Sequence, residues 1–535
     1  MLQMVPVRHV GVAIALTLAV SGPSACGEGD SAHAPVGMVS GPPPGSPSLT
    51  PATYPPLPTS ITGQRPSWGP CTALPTNPPV TTGQNGVPQC AKIKAPLDYA
   101  RPGGRTVDLA LLRFPATDPA HRIGSLLFNF GGPGAAGTTT LAQTAGQFQG
   151  LAKRYDLVGF DPRGVGQSTA VNCLDDRALD GYLALDGSPD DPAEEKALSQ
   201  ADAAFARACA DHSGGILPYV GTVSAARDMD VIRTVLGDAR LHYFGLSYGT
   251  QLGANNAHQF PGQVGRVVLD GAVDTKIKST DLALQQAAAF QRALGRFAAY
   301  CAGLGPTLCP MGRNRDAVLT WIRTFVDGLD GRPLPGGPQG RRLTQSLGEL
   351  GVAAALYDQV SWKILVRALA DAAKGDGSLL LALADSQTGR DENGHYSNFL
   401  AAETAIGCAD TTERPTPADV RRELPRFRNA SAVFGPSLAW SLLSCDGWSY
   451  RGSDAGREVS APSAAPILVV GNEGDPATPY AWAPALTREI GGKAVLLSLK
   501  GQGHTSYLSG DRCVVDAVNR YLLDGVVPKN GKRCP

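Results

Sequence analysis

No charge of one sign dominates this 535-residue sequence, which has 47 Lys and Arg against 47 Asp and Glu. Binding to nucleic acid or to another highly charged partner calls for an excess of one sign, so the balance favours neither. Metal-binding patterns are also missing, because none of the eleven cysteines forms a CxxC pair or a Cys/His cluster with zinc-finger spacing. The hydrophobic fraction of 43% is that of an ordinary globular protein. The composition therefore predicts a globular protein without a nucleic acid partner or a bound metal.

The apolar run from Val10 to Val20 is too short to span a bilayer as a mature helix. It follows a basic stretch and precedes small residues, an order that is typical of an export signal. Ser24-Ala25-Cys26 resembles the end of a bacterial lipobox, in which Cys26 would carry the lipid anchor. We therefore predict a signal peptide over residues 1–26 and a protein of the cell envelope that is either lipid-anchored or secreted. A lipid on Cys26 would be its only attachment to a membrane.

Ten cysteines remain when Cys26 is set aside, an even number that suits disulfide bonds in an oxidising compartment. Sequence alone leaves the connectivity open. One hypothesis pairs neighbours along the chain, and each closed loop would then stabilise the fold by about 2–4 kcal/mol. Under this hypothesis the pairs are Cys71–Cys90, Cys173–Cys209, Cys301–Cys309, Cys408–Cys445 and Cys513–Cys534.

The chain divides into stretches of different composition after the signal. Residues 27–67 are rich in Pro, Gly, Ser and Thr and predict a linker, because such a segment buries too little apolar surface to offset its ordering entropy. Over 68–274, short apolar strands alternate with helical patterns, which predicts a parallel sheet covered on both faces. Residues 275–460 have a helical pattern rich in Ala and Leu, and strands return over 461–535. We predict one α/β domain that is split by a large helical insertion.

Gly245-Leu246-Ser247-Tyr248-Gly249 is a GxSxG pentapeptide that stands between a predicted strand, 241–244, and a predicted helix. In a strand–turn–helix of this kind the serine takes strained dihedral angles, which glycines on both sides make possible. The turn lifts the serine oxygen above the sheet and points the start of a helix at it. The motif therefore predicts that Ser247 is a nucleophile.

A serine nucleophile needs a base, and the base needs an orienting carboxylate. In α/β-hydrolases these residues follow the nucleophile in the order Ser, Asp, His. Asp475 and His504 each stand five residues after a predicted late strand. We therefore predict a triad of Ser247, Asp475 and His504. Glu473 is the alternative acid, and Asp475 is preferred because a proline begins a turn just after it.

Two backbone N–H groups are needed to hold the oxyanion that forms during acyl transfer. One is predicted to come from Tyr248, the residue after the nucleophile. The other is predicted to lie in the loop after the strand 124–130, which reads Gly131-Gly132-Pro133-Gly134. Gly132 is the preferred donor because Pro133 has no N–H.

The same loop supports a competing interpretation. Residues 132–137 match GxGxxG, the dinucleotide-binding fingerprint, and Asp156 or Asp161 could then bind the ribose. The fingerprint normally opens the first βαβ unit, and exported proteins rarely bind NAD. We therefore favour the oxyanion loop, and no cofactor is expected.

Five motifs resemble the actinobacterial tripeptidyl aminopeptidase group, which belongs with the prolyl aminopeptidases and includes mycobacterial envelope serine proteases and some proteins labelled carboxylesterases. The resemblance extends over residues 68–535 and includes the cysteines. It implies a serine peptidase of the α/β-hydrolase fold, with a mostly parallel sheet and a large helical lid, that cleaves peptides or small proteins from the N-terminus. The family's triad and oxyanion loop fall on the residues predicted above. The motifs are Asn129–Gly134, Asp161–Ser168, Gly245–Thr250, Asp270–Asp274 and Asp475–Tyr480.

In this family, acidic residues of the lid bind the free α-amine of the substrate. A carboxylate in a partly buried pocket attracts an ammonium group more strongly than it would in water. Glu403 and Asp410 are the candidates here. An esterase with the same triad is the main alternative. A non-catalytic binding protein is disfavoured, because all the triad residues are present.

Overall fold

The structure is a computed structural model that describes residues 54–71, 86–337 and 340–535. Cys26, the predicted signal peptide and most of the predicted linker lie outside these residues. None of the helices in the three described ranges combines the length and the apolar character that a membrane span requires.

The described strands form one ten-stranded sheet and one two-stranded sheet. The order across the large sheet is β1-β2-β3-β5-β4-β6-β7-β10-β11-β12, and it is parallel from β5 to β12 and antiparallel among β1, β2, β3 and β5. The small sheet pairs β8 with β9. The strands are β1 (Gly69–Pro70), β2 (Gln89–Pro96), β3 (Thr106–Phe114), β4 (Gly124–Asn129), β5 (Tyr155–Phe160), β6 (Leu241–Leu246), β7 (Val264–Asp270), β8 (Leu334–Pro335), β9 (Arg342–Leu343), β10 (Ile467–Gly474), β11 (Val495–Gln502) and β12 (Lys532–Cys534).

The helices fall into two groups along the chain. Helices α1–α7, α16 and α17 accompany the strands of the large sheet, and α8–α15 lie between β7 and β10, where they form the helical insertion. The helices are α1 (Thr59–Thr62), α2 (Gly137–Thr144), α3 (Gln149–Ala152), α4 (Asp176–Leu183), α5 (Pro192–Ser213), α6 (Thr222–Val235), α7 (Tyr248–Gln259), α8 (Ser279–Gly303), α9 (Arg315–Gly331), α10 (Gln345–Leu356), α11 (Trp362–Ala372), α12 (Ser378–Thr388), α13 (Phe399–Ala409), α14 (Pro417–Ala430), α15 (Gly435–Trp440), α16 (Trp482–Ile490) and α17 (Arg512–Asp524).

Strands β4 and β5 are buried at every position because both faces of the sheet are covered. Successive side chains of a strand point to opposite faces, and in β4 Leu126 and Phe128 join one buried cluster while Leu127 joins the other. Helix α17 covers the first face, and α6 and α7 cover the second. The apolar side chains of the helical insertion are continuous with the second cluster. The predicted α/β fold with its parallel sheet is therefore confirmed.

The ordered chain begins before Trp68, where the linker was predicted to end. Helix α1 lies within the predicted linker, and its Ile61 is only 3% exposed. The side chain of Gln64 exchanges hydrogen bonds of 2.8 and 2.7 Å with the backbone of Lys94 on β2. Local composition does not show that residues 59–64 take part in the fold, because they are held by the backbone of β2, which lies elsewhere in the chain.

Disulfide bonds join the described cysteines in the predicted neighbour pairs. They tie β1 to β2, α5 to the loop before α4, and α17 to β12. Two of them lie within the helical insertion, so the insertion is cross-linked independently of the sheet. The pairs are Cys71–Cys90, Cys173–Cys209, Cys301–Cys309, Cys408–Cys445 and Cys513–Cys534.

Candidate active site

Ser247 stands in the turn between β6 and α7, with φ of 57° and ψ of −124°. A positive φ is strained for a residue with a side chain, and the close approach of the two flanking glycines accounts for it. A Cβ on Gly245 would lie 2.3 Å from the carbonyl oxygen of Gly249, and one on Gly249 would lie 2.8 Å from that of Asn129. The sequence GxSxG therefore makes a turn that no larger residues would allow, and Ser247 is 2% exposed within it.

Asp475 and His504 form a buried pair at the same edge of the sheet. Nδ1 of His504 lies 2.9 Å from both carboxylate oxygens of Asp475. The carboxylate also accepts hydrogen bonds from the backbone N–H groups of Ala477, Thr478 and Thr505, at 2.9, 2.8 and 3.0 Å. Such bonds hold an ionised carboxylate in place, and they favour the His504 tautomer that carries its proton on Nδ1. Nε2 is then left as the basic nitrogen.

Glu473, the alternative acid, has a different partner. Its carboxylate forms an ion pair with Arg533 at 2.5 and 2.8 Å. The hydrogen bond from Arg533 lowers the pKa of Glu473. Of the two acids that the sequence offered, only Asp475 contacts His504.

The end of β7 brings Ser247 and His504 to the same place. The N–H of Ser247 donates to the carbonyl oxygen of Asp270 at 2.9 Å. A Cβ on the next residue, Gly271, would lie 3.2 Å from Cε1 of His504. Nε2 of His504 is buried and has no hydrogen-bond partner in the described protein, so no hydrogen bond joins it to the hydroxyl of Ser247. Catalytic hydrogen bonds are often long before the substrate binds. The arrangement is therefore compatible with the triad, which remains a prediction.

The loop predicted to hold the oxyanion packs directly against the nucleophile. A Cβ on Gly131 would lie 2.8 Å from Cβ of Ser247 and 3.3 Å from the backbone nitrogen of Tyr248. Tyr248 is the first residue of α7, so its N–H has no acceptor within the helix. Gly132 follows in the loop with φ of +99°, which only glycine adopts easily. Both predicted donors therefore lie on segments that meet beside Ser247.

The acids of the dinucleotide interpretation are engaged within the protein. Asp161 accepts hydrogen bonds from the N–H and hydroxyl of Thr138 at 2.9 and 3.0 Å and from the N–H of Gln167 at 2.7 Å. Asp156 accepts a hydrogen bond of 3.0 Å from Arg122. Neither carboxylate is presented to a ribose, which disfavours that interpretation of the glycine loop.

Glu403 lies on α13, at the point where the helical insertion meets the glycine loop. Its backbone nitrogen is 3.0 Å from the position that a Cβ on Gly134 would take. The negative charges of Asp475 and Glu403 both raise the pKa of Tyr357, although burial is the larger cause. The ring of Tyr357 packs edge-on against His504, with 5.5 Å between ring centroids. Glu403 therefore lies on a helix that meets the glycine loop, near the tyrosine whose ring packs against His504.

Asp410, the second predicted amine-binding residue, is occupied by Thr222. One carboxylate oxygen accepts the N–H of Thr222 at 2.7 Å, and the other accepts its hydroxyl. The same hydroxyl lies 2.5 Å from the phenol oxygen of Tyr248. Burial raises the pKa of Asp410 to about 7. Asp410 thus belongs to a hydroxyl network on the side chain of Tyr248, whereas Glu403 lies beside the glycine loop.

Sequence reasoning missed two residues of the insertion that shape the site. Asn398 accepts the N–H of Gly166 at 2.9 Å and donates to the carbonyl oxygens of Gly164 and Val171 at 2.8 and 3.0 Å. The carbonyl oxygen of Tyr357 accepts the N–H of His504 at 2.8 Å. No local signal marks either residue, because each acts only through a distant segment.

One acidic group outside this site has a spacing that could hold a cation. Carboxylate oxygens of Asp186, Glu194 and Asp330 lie within 4.8 Å of one another. Burial raises the pKa of Asp186 to about 6. These residues belong to the α4–α5 connection, α5 and α9 rather than to the ends of the central strands, and such acidic groups commonly occur without an ion.

Comparisons with known proteins match both halves of this site. A family model described as the alpha/beta hydrolase fold matches residues 124–305, which include Ser247, and one described as TAP-like protein matches residues 431–534, which include Asp475 and His504. The chain is 36% identical to serine protease Hip1 of Mycobacterium tuberculosis, over 88% of this chain and 91% of that protein. It is 34% identical to Carboxylesterase B of M. tuberculosis, over 83% and 86%. It is 30% identical to a tripeptidyl aminopeptidase of Streptomyces lividans, over 82% of each.

Proposed function

Because this chain belongs to the α/β-hydrolase family that includes the serine protease Hip1 and the Streptomyces tripeptidyl aminopeptidases, it is a serine hydrolase, and we propose that it is an exported peptidase that cleaves peptides from the N-terminus. The observation that carries the proposal is the buried His504–Asp475 pair beside the strained turn of Ser247. Five disulfide bonds suit an oxidising compartment and support export.

The proposed reaction is acyl transfer in two steps. Ser247 attacks the scissile carbonyl carbon while Nε2 of His504 takes the hydroxyl proton, and Asp475 stabilises the resulting imidazolium. The oxyanion accepts hydrogen bonds from the N–H groups of Tyr248 and Gly132. His504 then gives the proton to the leaving amine, and water hydrolyses the acyl-enzyme by the same route.

Restriction to the N-terminus is proposed to come from Glu403. A peptidase that removes N-terminal units must hold the free α-ammonium group at a fixed distance from the scissile bond. The backbone nitrogen of Glu403 on α13 is 3.0 Å from the position that a Cβ on Gly134 would take, and we propose that an ammonium group paired with the carboxylate of this residue stays close to the oxyanion site. A charged hydrogen bond in a site that excludes water contributes about 1.5–3 kcal/mol.

The first test replaces the proposed nucleophile. Ser247→Ala should abolish labelling by a fluorophosphonate probe, and wild-type protein should be labelled on Ser247 in a peptide digest. Ser386→Ala is a matched control, since Ser386 lies on α12 and bonds only to a helix carbonyl at 2.7 Å, and it should be labelled like the wild type. Labelling that persists in Ser247→Ala rejects the proposed mechanism.

An esterase is the second candidate, favoured by the identity to Carboxylesterase B. The same triad hydrolyses esters, so only the substrate separates the two candidates. Rates should be measured on matched peptides with free and acetylated N-termini and on short acyl esters. The peptidase proposal expects the free-amine peptide to have the highest kcat/KM, and a preference for the esters over both peptides favours the second candidate.

The lipid anchor on Cys26 remains a proposal about residues outside the described structure. Its support is the Ser24-Ala25-Cys26 sequence after the apolar run. Full-length protein expressed in an actinobacterial host with a radiolabelled fatty acid should carry the label and fractionate with membranes, and Cys26→Ser should do neither. An unlabelled wild-type protein found in the medium would instead indicate secretion.

A further inference from the structure

Asp270 has no role in the mechanism above, although the sequence placed it at the start of one of the family motifs. It is the last residue of β7, which lies between β6 and β10 in the sheet. The neighbouring strands lead to Ser247 on one side and to Asp475 on the other. Asp270 is 0% exposed, so a charged side chain is buried in the middle of the edge that carries the predicted triad.

The hydrogen bonds of Asp270 join the two segments that must exchange a proton. Its carbonyl oxygen accepts the N–H of Ser247 at 2.9 Å. Its carboxylate accepts the N–H of Ser506 at 2.9 Å and that of Tyr507 at 2.7 Å. These two residues stand two and three positions after His504 in the chain, so a single residue holds both the nucleophile turn and the histidine loop.

The negative charge of Asp270 has no cationic side chain among its hydrogen-bond partners, all of which are backbone N–H groups. Burial is the main reason that its pKa is raised to about 6, and the charge of Asp475 adds to this, whereas the N–H groups of Tyr507 and Ser506 and the charge of His504 act to lower it. The charged or titratable groups that face His504 are thus Asp475 and Asp270 from the sheet and Tyr357 from the insertion. An imidazolium at residue 504 would be stabilised by two carboxylates rather than one.

We propose that Asp270 is a positioning residue, which fixes the His504 loop relative to Ser247 and supports the imidazolium formed during acyl transfer. This inference rests on the triad of the proposed function. A residue that only stabilised the fold would change the amount of active enzyme. A residue with the proposed role changes the rate of each active molecule and its dependence on pH.

The experiment compares Asp270→Asn with Asp270→Glu. Asn keeps the size of the side chain but removes its charge. The amide oxygen can still accept one N–H of the histidine loop, but the NH₂ group cannot accept the other, so one of the two hydrogen bonds is lost. A displacement of about 1 Å in a catalytic group costs on the order of 10²-fold in rate. We therefore expect Asp270→Asn to lower kcat on the order of 10²-fold with little change in KM, and to move the acidic limb of kcat/KM to lower pH. Asp270→Glu keeps the charge but lengthens the side chain and displaces the histidine loop. Its kcat should therefore fall, while the acidic limb of the kcat/KM profile stays at the wild-type pH.

Asp202→Asn is the matched control. Asp202 lies on α5, its carboxylate is also buried (5% exposed), and it accepts a hydrogen bond of 3.1 Å from the hydroxyl of Tyr182. The stability of this variant can differ from that of the wild type, but it should show no change in kcat per active molecule or in the pH profile of activity. Active molecules are counted by fluorophosphonate titration. Wild-type protein without labelling on Ser247 would overturn the proposed function itself. Labelled wild type together with an Asp270→Asn variant that keeps the wild-type kcat per active molecule and pH profile overturns this inference, as would the failure of both Asp270 variants to fold.

Discussion

The two sides of the candidate active site are built in different ways. On the sheet side, Ser247 directly follows β6 and His504 lies two residues after β11, and Asp270 at the end of β7 accepts hydrogen bonds from Ser247 and from the loop that follows His504. On the insertion side, Glu403 is carried by a helix whose place depends on contacts between segments far apart in the chain. In the proposed function, the sheet side therefore supplies chemistry that suits any acyl group, and the insertion side selects the substrate.

Asn398 and Tyr357 each join the insertion side to the sheet side. Asn398 fixes the start of α13 to the loop between Gly164 and Val171. Tyr357 contributes both its carbonyl oxygen and the edge of its ring to His504. In the proposed function, the groups that select the substrate and those that transfer the proton are thus linked by direct contacts, and we expect a change of a side chain that belongs to only one side to alter one process without the other.

The largest expected effect separates the two acids of the sheet side. Asp475→Asn should lower kcat by about 10⁴-fold on free-amine peptides, acetylated peptides and esters alike, because the amide disfavours the His504 tautomer that the reaction needs. Glu473→Gln is the control and should change kcat by less than about twofold, since it removes only an exposed ion pair with Arg533. Steady-state kinetics on all three substrates measure both. A large loss in Glu473→Gln, or a small one in Asp475→Asn, would exchange the assigned roles.

A smaller and selective effect is expected on the insertion side. Glu403→Gln should lower kcat/KM on free-amine peptides by about 10–100-fold, since a charged hydrogen bond of about 1.5–3 kcal/mol is lost. Hydrolysis of esters and acetylated peptides should be unchanged. Glu423→Gln is the control, because Glu423 lies on α14 and pairs with Arg426 at 2.6 Å. An equal loss on free and acetylated peptides would show that Glu403 supports the fold rather than the α-amine.

The sheet side could be predicted from the sequence because its signals are local. A strand, the GxSxG turn and a helix follow one another without interruption, and the tight packing at Gly245 and Gly249 requires those residue types. His504 and Asp475 likewise stand just after strands with continuous apolar patterns. In an α/β sheet the carboxyl ends of the strands meet at one edge, so residues far apart in the sequence could be brought together without knowledge of their contacts.

The insertion side could not be predicted to the same depth. Helix α13 is apolar and buried over most of its surface, so composition does not show which face of it lies against the glycine loop. Glu403 and Asp410 are seven residues apart on or beside the same helix, so the sequence offered no reason to separate them. What separates the two acids is Thr222 on α6, in the first half of the chain, which donates hydrogen bonds to the carboxylate of Asp410.

Helices α4 and α5 illustrate the same limit. Because strands precede and follow these two helices, the sequence predicted that all of residues 68–274 belong to the sheet domain. In the structure, Arg390 of the insertion pairs with Asp180 of α4 at 3.0 Å, and Ser346 accepts the N–H of Gly187 at 2.8 Å. Part of the chain before the insertion therefore packs with it, and only long-range contacts reveal this.

The smallest expected effect on activity belongs to Asp410→Asn. An amide can keep the bond from the Thr222 N–H with its oxygen and can donate to the Thr222 hydroxyl with its nitrogen. We expect kcat/KM on free-amine peptides to change by less than about threefold, which is about 0.7 kcal/mol. A loss as large as that of Glu403→Gln, confined to free-amine peptides, would place the amine site at both carboxylates.

Stability should nevertheless respond to Asp410→Asn in a pH-dependent way. The pKa of Asp410 is about 7 in the folded protein, against an ordinary value of 3.8. Between these two values the unfolded chain releases a proton that the folded protein keeps, so this residue's contribution to stability is complete below the lower value and declines as the pH rises to the upper one. Asn does not ionise and has no such decline. The free energy of unfolding of Asp410→Asn relative to the wild type, measured by urea denaturation, should therefore increase from pH 5 to pH 8. A difference that is constant over this range would mean that the carboxylate is ionised throughout, and its bond to the Thr222 hydroxyl would then be charged.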